Sequence, residues 1–413
     1  MSQSVNTAAL NAATKEERLA ALKTLCGQRD QGRLPPPEKT NFVNNHIHTT
    51  YSFSPYSPTL ALWKAYENGL ITAGIMDHDS IAGAREFIAA GELVGLATTI
   101  GFECRVDGSR TALNGRLINN PDQKSVAYVA MHGIPHTQID KAEAFLAPYR
   151  ARRNERNQQM VNRLNGLLEA HGVTLSYERE ILPLSQSAEG GSITERHLLY
   201  ALSLKLEQTF GRGEGLVAFL TDVLRIPVSA SSRAYLLDRG NDIYAYDLLG
   251  VLKSGLVEQF YIDATDECPD IRDFVSFAKE IGAIAAYAYL GDVGDSVTGD
   301  KKAQKFEDDY LDLLFQTISE LGFDAVTYMP TRNTLEQLAR VRSLCTAYGL
   351  FEISGEDINS PRQGFRCKAL ERPEFAHLID ATWALIGHEK AATERLENGM
   401  FSAETLAKIP SLP

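Results

Sequence analysis

His46 and His48, one residue apart in the run NFVNNHIHT, have the type and spacing to do chemistry. On a strand, residues i and i+2 face the same side, so both imidazoles can reach one metal ion. An HxH pair alone arises by chance. It gains weight from three more groups that close strand-like runs: Asp77-His78-Asp79 after ITAGIM, Glu103 in Gly101-Phe102-Glu103, and Asp357 in ISGEDIN. Two histidines and two carboxylates from four strand ends make a ligand set suited to Zn²⁺, Mn²⁺ or Fe²⁺. An ion held that way activates water and polarises an ester oxygen, which is the chemistry of hydrolysis.

Such a site needs strands that end together. From residue 41 the sequence alternates short β-type runs with helical ones. SPTLALWKAYENGL reads as a helix ending near Gly69, ITAGIMDH as a strand, IAGAREFIAAGELVG as a helix and ATTIGFECRV as a strand. That alternation predicts a parallel α/β architecture with functional residues at the carboxyl ends of strands. Residues 139–224 read as a mainly helical insertion covering the barrel mouth. Within it Met160, Leu164, Leu167 and Leu168 recur at helical spacing, and Thr194 is placed to cap a helix beginning ERHLLYAL. The alternation resumes with AIAAYAYLG, a helix over 310–321, FDAVTYMP, LEQLARVRSLCTAYG and LFEISGEDIN. The expected divisions are a peripheral N-terminal helix and Pro-rich linker (1–40), a first barrel part (41–138), the insertion (139–224), a second barrel part (225–370) and a C-terminal helical tail (371–413). The acidic run DVGDSVTGDKKAQKFEDD reads as solvated surface.

Bulk properties narrow the partners. The 413 residues, 44% hydrophobic, suffice for a large barrel core, and a net charge of −12 argues against nucleic acid or an anionic membrane as partner. No apolar run approaches a spanning helix, and the first residues lack the order of a secretory signal. Five scattered cysteines without a CxxC read as reduced thiols packed as small hydrophobes, which points to a cytoplasmic protein. Neither GxGxxG, a P-loop nor a GxSxG elbow is present.

Taken in order, HIHTTYS, IMDHDSIAG, GFE, the Arg-rich RARRNER, ERHLLYAL and SGEDIN resemble the motifs of the PHP (polymerase and histidinol phosphatase) metallohydrolases over roughly residues 41–365. The resemblance implies a distorted (β/α)7 barrel, up to three metal ions and hydrolysis of phosphate esters. The insertion and ERHLLYAL look most like the branch that acts on small phosphorylated nucleosides or nucleotides. Carried over, His46, His48, Glu103 and Asp357 match one complete metal position, with Glu103 able to bridge to a second ion. Asp77 would orient a ligand histidine or bind directly, His78 would act as general acid or residual ligand, and Arg196 and His197 would hold the phosphate.

Other positions depart from that pattern. Phe53 stands where the family has an acid or histidine after HxH, Asn359 where the last motif ends in histidine, and Tyr289 where the family has A-H-P-G. Tyr128 stands where a strand histidine is expected, with His132 a substitute if that strand bulges. Phe cannot ligate, and neutral Tyr or Asn ligates such ions poorly. The expectation is therefore one firmly held divalent transition metal (Mn, Zn or Fe) and a small phosphorylated substrate. Hydrolysis of a non-phosphate ester or amide, or a barrel that binds without catalysing, are the rival readings. Of Arg152, Arg153 and Arg156, two are expected on a solvated basic face. Arg332 could enter the mouth, and His136, His171, His377 and His388 lack partner motifs.

Overall fold

The computed structural model describes residues 7–292 and 304–408. Seven strands form one sheet in chain order: β1 (Val43–Ile47), β2 (Thr72–His78), β3 (Ala97–Asp107), β4 (Val126–His132), β5 (Ile284–Ala288), β6 (Ala325–Tyr328) and β7 (Phe351–Ser354). The sheet nearly closes on itself, because the chain beyond β7 returns to β1. There His48 N–H donates to Ile358 O at 3.0 Å and Ile358 N–H to His46 O at 3.1 Å. With helices around it, this is a distorted TIM-like barrel. β4 departs from the expected parallel order: it runs antiparallel to both β3 and β5.

Alternation along β3 sorts the two faces. Ile100, Phe102, Cys104 and Val106 pack into the outer core under the helices. Gly101, Glu103 and Arg105 therefore face the barrel interior. Ile47 is likewise buried in the outer core, which leaves its neighbours His46 and His48 to the inside. At the barrel floor, Met76, Ala130, Ile284, Ala286, Ala325 and Ile353 pack with Leu385 and Met400 from the C-terminal segment. Glu389, on the same terminal helix (His377–Glu394), accepts from Thr99 Oγ1 (2.7 Å) and Ile100 N–H (2.8 Å) and pairs with His136 at 2.8 Å. The terminal segment is thus the plug of the barrel rather than a tail.

The N-terminal stretch is not peripheral either. Thr14 and Glu17 form a capping box that starts the helix Lys15–Asp30. Its Arg18 is buried in a two-pronged ion pair with Glu86 (2.8 and 2.6 Å), and Leu10 and Leu22 join the outer core. The helical insertion begins with the helix Ile139–Leu168 and builds a second hydrophobic core. That core runs past the expected limit at Leu224, taking in Leu236, Tyr244, Leu252 and Phe260. All five cysteines are free and buried, as expected. Among the described residues, no helix is long and apolar enough to cross a membrane. Of the acidic run, residues 293–303 lie outside the described residues. Glu307 is fully buried rather than solvated.

Candidate metal centre

Three of the residues predicted from the sequence converge. His46 Nε2 lies 3.2 Å from His48 Nε2, and Glu103 Oε1 lies 3.4 and 3.3 Å from those two nitrogens. Ligands at about 2.0–2.1 Å from one tetrahedral ion stand about 3.3–3.4 Å apart, so this spacing fits a shared ion. Among the described residues no other cluster of three such groups forms. Asp357 Oδ1 approaches His48 Nε2 at 3.2 Å, reaching the group from its rim. His78 stacks on His48 with ring centroids 4.7 Å apart and puts Nδ1 3.1 Å from Glu103 Oε1.

Burial alone would raise the Glu103 carboxyl, but His78, His46 and His48 beside it outweigh that and bring it down to about 2. Burial also raises Asp77, against its neighbours, and lowers His78 to about 3. A neutral His78 suits the residual-ligand role better than the general acid expected for it.

The tautomer of His48 follows from its surroundings. Ser52 donates its hydroxyl to Asp77 Oδ1 at 2.6 Å, and its oxygen lies 3.3 Å from His48 Nδ1. That oxygen is left to accept, so Nδ1 carries the proton and Nε2 presents a lone pair to the group. Asp77 also accepts from Thr49 N–H and Thr49 Oγ1, each at 2.6 Å. Its carboxylate is spent on the loop behind His48, which corrects the expectation that it could bind a metal directly.

The departures from the family pattern have other uses. Phe53 packs against His197 (5.0 Å), Tyr200 (5.6 Å) and Tyr246 (5.9 Å), joining the barrel to the insertion. Tyr289 donates its hydroxyl to Asp308 at 2.6 Å. Asn359 Nδ2 donates to Asp357 Oδ1 at 2.6 Å and so aims that carboxylate. Tyr128 faces His78 with ring centroids 5.8 Å apart. The strand carrying His132 pairs without a bulge, and His132 Nε2 is buried with no hydrogen-bond partner among the described residues. It does not join the group.

His197 is 1% exposed, and its Nδ1 accepts the Thr194 N–H at 3.0 Å. It caps its own helix, Glu195–Phe210, and is not open to a phosphate. Arg196, half-buried at the same helix start, is near enough for its charge to act on Asp357. Arg332 instead donates to Leu290 O at 3.2 Å.

The basic stretch of the long helix is the largest correction. Arg153 and Arg156 are buried, not solvated. With Arg105 of β3 they meet Glu195, Glu267 and Asp79 in a cluster of three positive and three negative groups. Arg105 reaches Glu267 at 2.7 Å and Glu195 at 3.1 Å, and Arg156 reaches Glu195 at 2.6 Å. Arg152 is exposed and donates to Asp266 O at 2.8 Å. Ser52 and Arg105 were missed from the sequence, as was the part Asn359 plays in aiming Asp357, although the alternation of β3 already placed Arg105 on the face of Glu103.

No family model and no curated protein sequence matches the chain. A candidate metal-dependent phosphoesterase from Bifidobacterium adolescentis superposes with a TM-score of 0.51 at 18% identity, over 84% of this chain and 96% of that one. An amidohydrolase from Chromobacterium violaceum, solved with sulfate and without metal, gives 0.49 at 18% identity, over 82% and 96%. The first likeness, at that identity, is one of fold.

Proposed function

We propose that the chain is a metal-dependent hydrolase of a small phosphorylated substrate, of PHP type, with one firmly held divalent ion. The observation that carries this reading is the convergence of His46, His48 and Glu103 at ligand spacing, with Asp357 at its rim. The ordered motifs and the phosphoesterase fold-mate support the substrate class.

His46, His48 and Glu103 would hold the ion and Asp357 would complete its shell. Such an ion, when bound, lowers the pKa of a water to about 7 and polarises an ester oxygen. His48 is kept in the Nδ1–H form by Ser52, and Glu103 stays ionised. His78 stands beside Glu103 as a neutral imidazole, suited to act as a residual ligand. Arg196 supplies positive charge at a helix N-terminus, where a phosphate is favoured. The re-use of Phe53, Tyr289 and Asn359 elsewhere supports a reduced centre over a three-ion one.

The test is metal analysis after loading with Mn²⁺, Zn²⁺ or Fe²⁺, joined to a panel of phosphate esters. About one equivalent per chain and turnover of a small phosphate ester are expected, with both lost in Asp357→Ala while the barrel stays folded. Three equivalents would overturn the single-ion reading. A chain that holds no ion, or turns over no phosphate ester with any of the three, would overturn the enzyme reading.

A further inference from the structure

The turn His78-Asp79-Ser80 at the end of β2 is gripped from outside the barrel. Ser192 Oγ donates to His78 O at 2.6 Å, and Arg150 donates to Asp79 O at 3.2 Å. Arg153 pairs with the Asp79 carboxylate, and Ser80 Oγ donates to Gly190 O at 2.8 Å. All four partners belong to the helical insertion. From the barrel side, Asp79 N–H donates to Glu103 O at 2.8 Å. Asp79 itself has φ of +50°, a left-handed conformation that a non-glycine residue keeps only when its surroundings hold it there.

The same stretch of the insertion reaches the loop after β1. Ser192 N–H donates to Tyr51 O at 2.7 Å, and the Tyr51 hydroxyl donates to Glu189 at 2.9 Å. Residues 189–192 therefore tie together the two loops that follow His48 and His78. Arg153 is itself fixed by Glu195 at 2.8 Å, inside the buried ion cluster.

We propose that residues 189–192, with Arg150 and Arg153, form a brace that sets the imidazole of His78 against Glu103. Ser192 and Arg153 are then positioning residues of the centre, and the insertion takes part in building it. The brace rests on the metal-centre reading above for its catalytic meaning, but the placement of His78 can be measured without it. Ser192 acts through one hydrogen bond to the carbonyl of His78. Arg153 acts through the carboxylate that keeps Asp79 in its left-handed turn.

The experiment compares Ser192→Ala, Ser192→Thr and Arg153→Met in the full chain, with Leu206→Ala as a control in the insertion core. Three quantities are read: the ¹⁵N resonances of the His78 imidazole in histidine-labelled protein, Mn²⁺ affinity by chelator competition, and kcat and KM on p-nitrophenyl phosphate. Ser192→Ala and Arg153→Met should move the His78 resonances and, because His78 lies against the ligand Glu103, weaken Mn²⁺ binding about tenfold. They should lower kcat with KM little changed, and Ser192→Thr should restore all three. Leu206→Ala should lower the melting temperature and leave the His78 resonances in place. If those resonances stay put in Ser192→Ala, the brace is wrong, even where Arg153→Met fails to fold. A wild type without metal or turnover would instead overturn the function, while the resonances still decide the brace.

Discussion

The candidate metal group depends on which nitrogen of His48 carries its proton, and Ser52 is the residue that decides it. Ser52→Ala removes the acceptor facing Nδ1, so affinity for Mn²⁺ or Zn²⁺ should fall by about 10- to 100-fold. The melting temperature should change little, and chelator competition beside a thermal scan checks both. At this scale His46, His48 and Glu103 were readable because a strand's alternation leaves few options for where they point. Asp77 misled because its type suits a ligand, whereas its oxygens turned to Thr49 and Ser52, a pairing that only the folded loop creates. His197 misled for another reason. Its spacing from Thr194 is that of a capping box, with histidine in the place usually taken by Glu or Gln, and that signal was available. Nothing in the local pattern of RARRNER separates a buried arginine from a solvated one, since the partners come from Glu195 and Glu267, far along the chain.

Among elements, the close approach of the loop after β7 to β1 constrains the centre. A Cβ on Gly355 would lie 2.6 Å from His46 Cβ and 2.7 Å from His46 N. Gly355→Ala should therefore displace β1 or the loop bearing Asp357, weakening metal binding and costing about 1–3 kcal/mol of stability. Metal titration and denaturant unfolding would show it; an unchanged affinity would mean that the loop shifts without carrying Asp357 along. The element after β5 gives a pH signature. Burial lifts the Glu307 carboxyl from its ordinary 4.5 to about 7, with Leu290 N–H donating to it at 2.8 Å. The folded chain then binds a proton that the unfolded chain has released, so stability falls as pH rises from about 4.5 to about 7, by at most about 3 kcal/mol. Glu307→Gln, which imitates the protonated acid, should flatten the stability curve between about pH 5 and about pH 8. Alternation of strand and helix made most of the barrel legible. It could not show that β4 reverses, because a strand's own pattern is the same in either direction. Nor could it show that the first helix is anchored, since Arg18 finds Glu86 only through the fold.

At the scale of the molecule, the outer core of the barrel and the core of the insertion are joined through a buried, charge-balanced cluster. β4 and β5 are neighbours in the sheet although about 150 residues of mostly insertion separate them, so their pairing is long-range and is expected late in folding. Refolding followed by stopped-flow circular dichroism should show the helical insertion forming before the metal-binding signal appears; simultaneous appearance of both would refute this order. The closure of β1 against the chain after β7 extends the point to biosynthesis. His48 is made early, but Ile358 and Asp357 arrive some 300 residues later, and the plug that seals the floor comes later still. A ribosome emits roughly 5–20 residues per second, so tens of seconds pass in which the two histidines exist without their full company. A nascent chain can offer an ion no more than part of the final shell. An ion held as proposed would then be selected by the finished barrel rather than by the emerging chain.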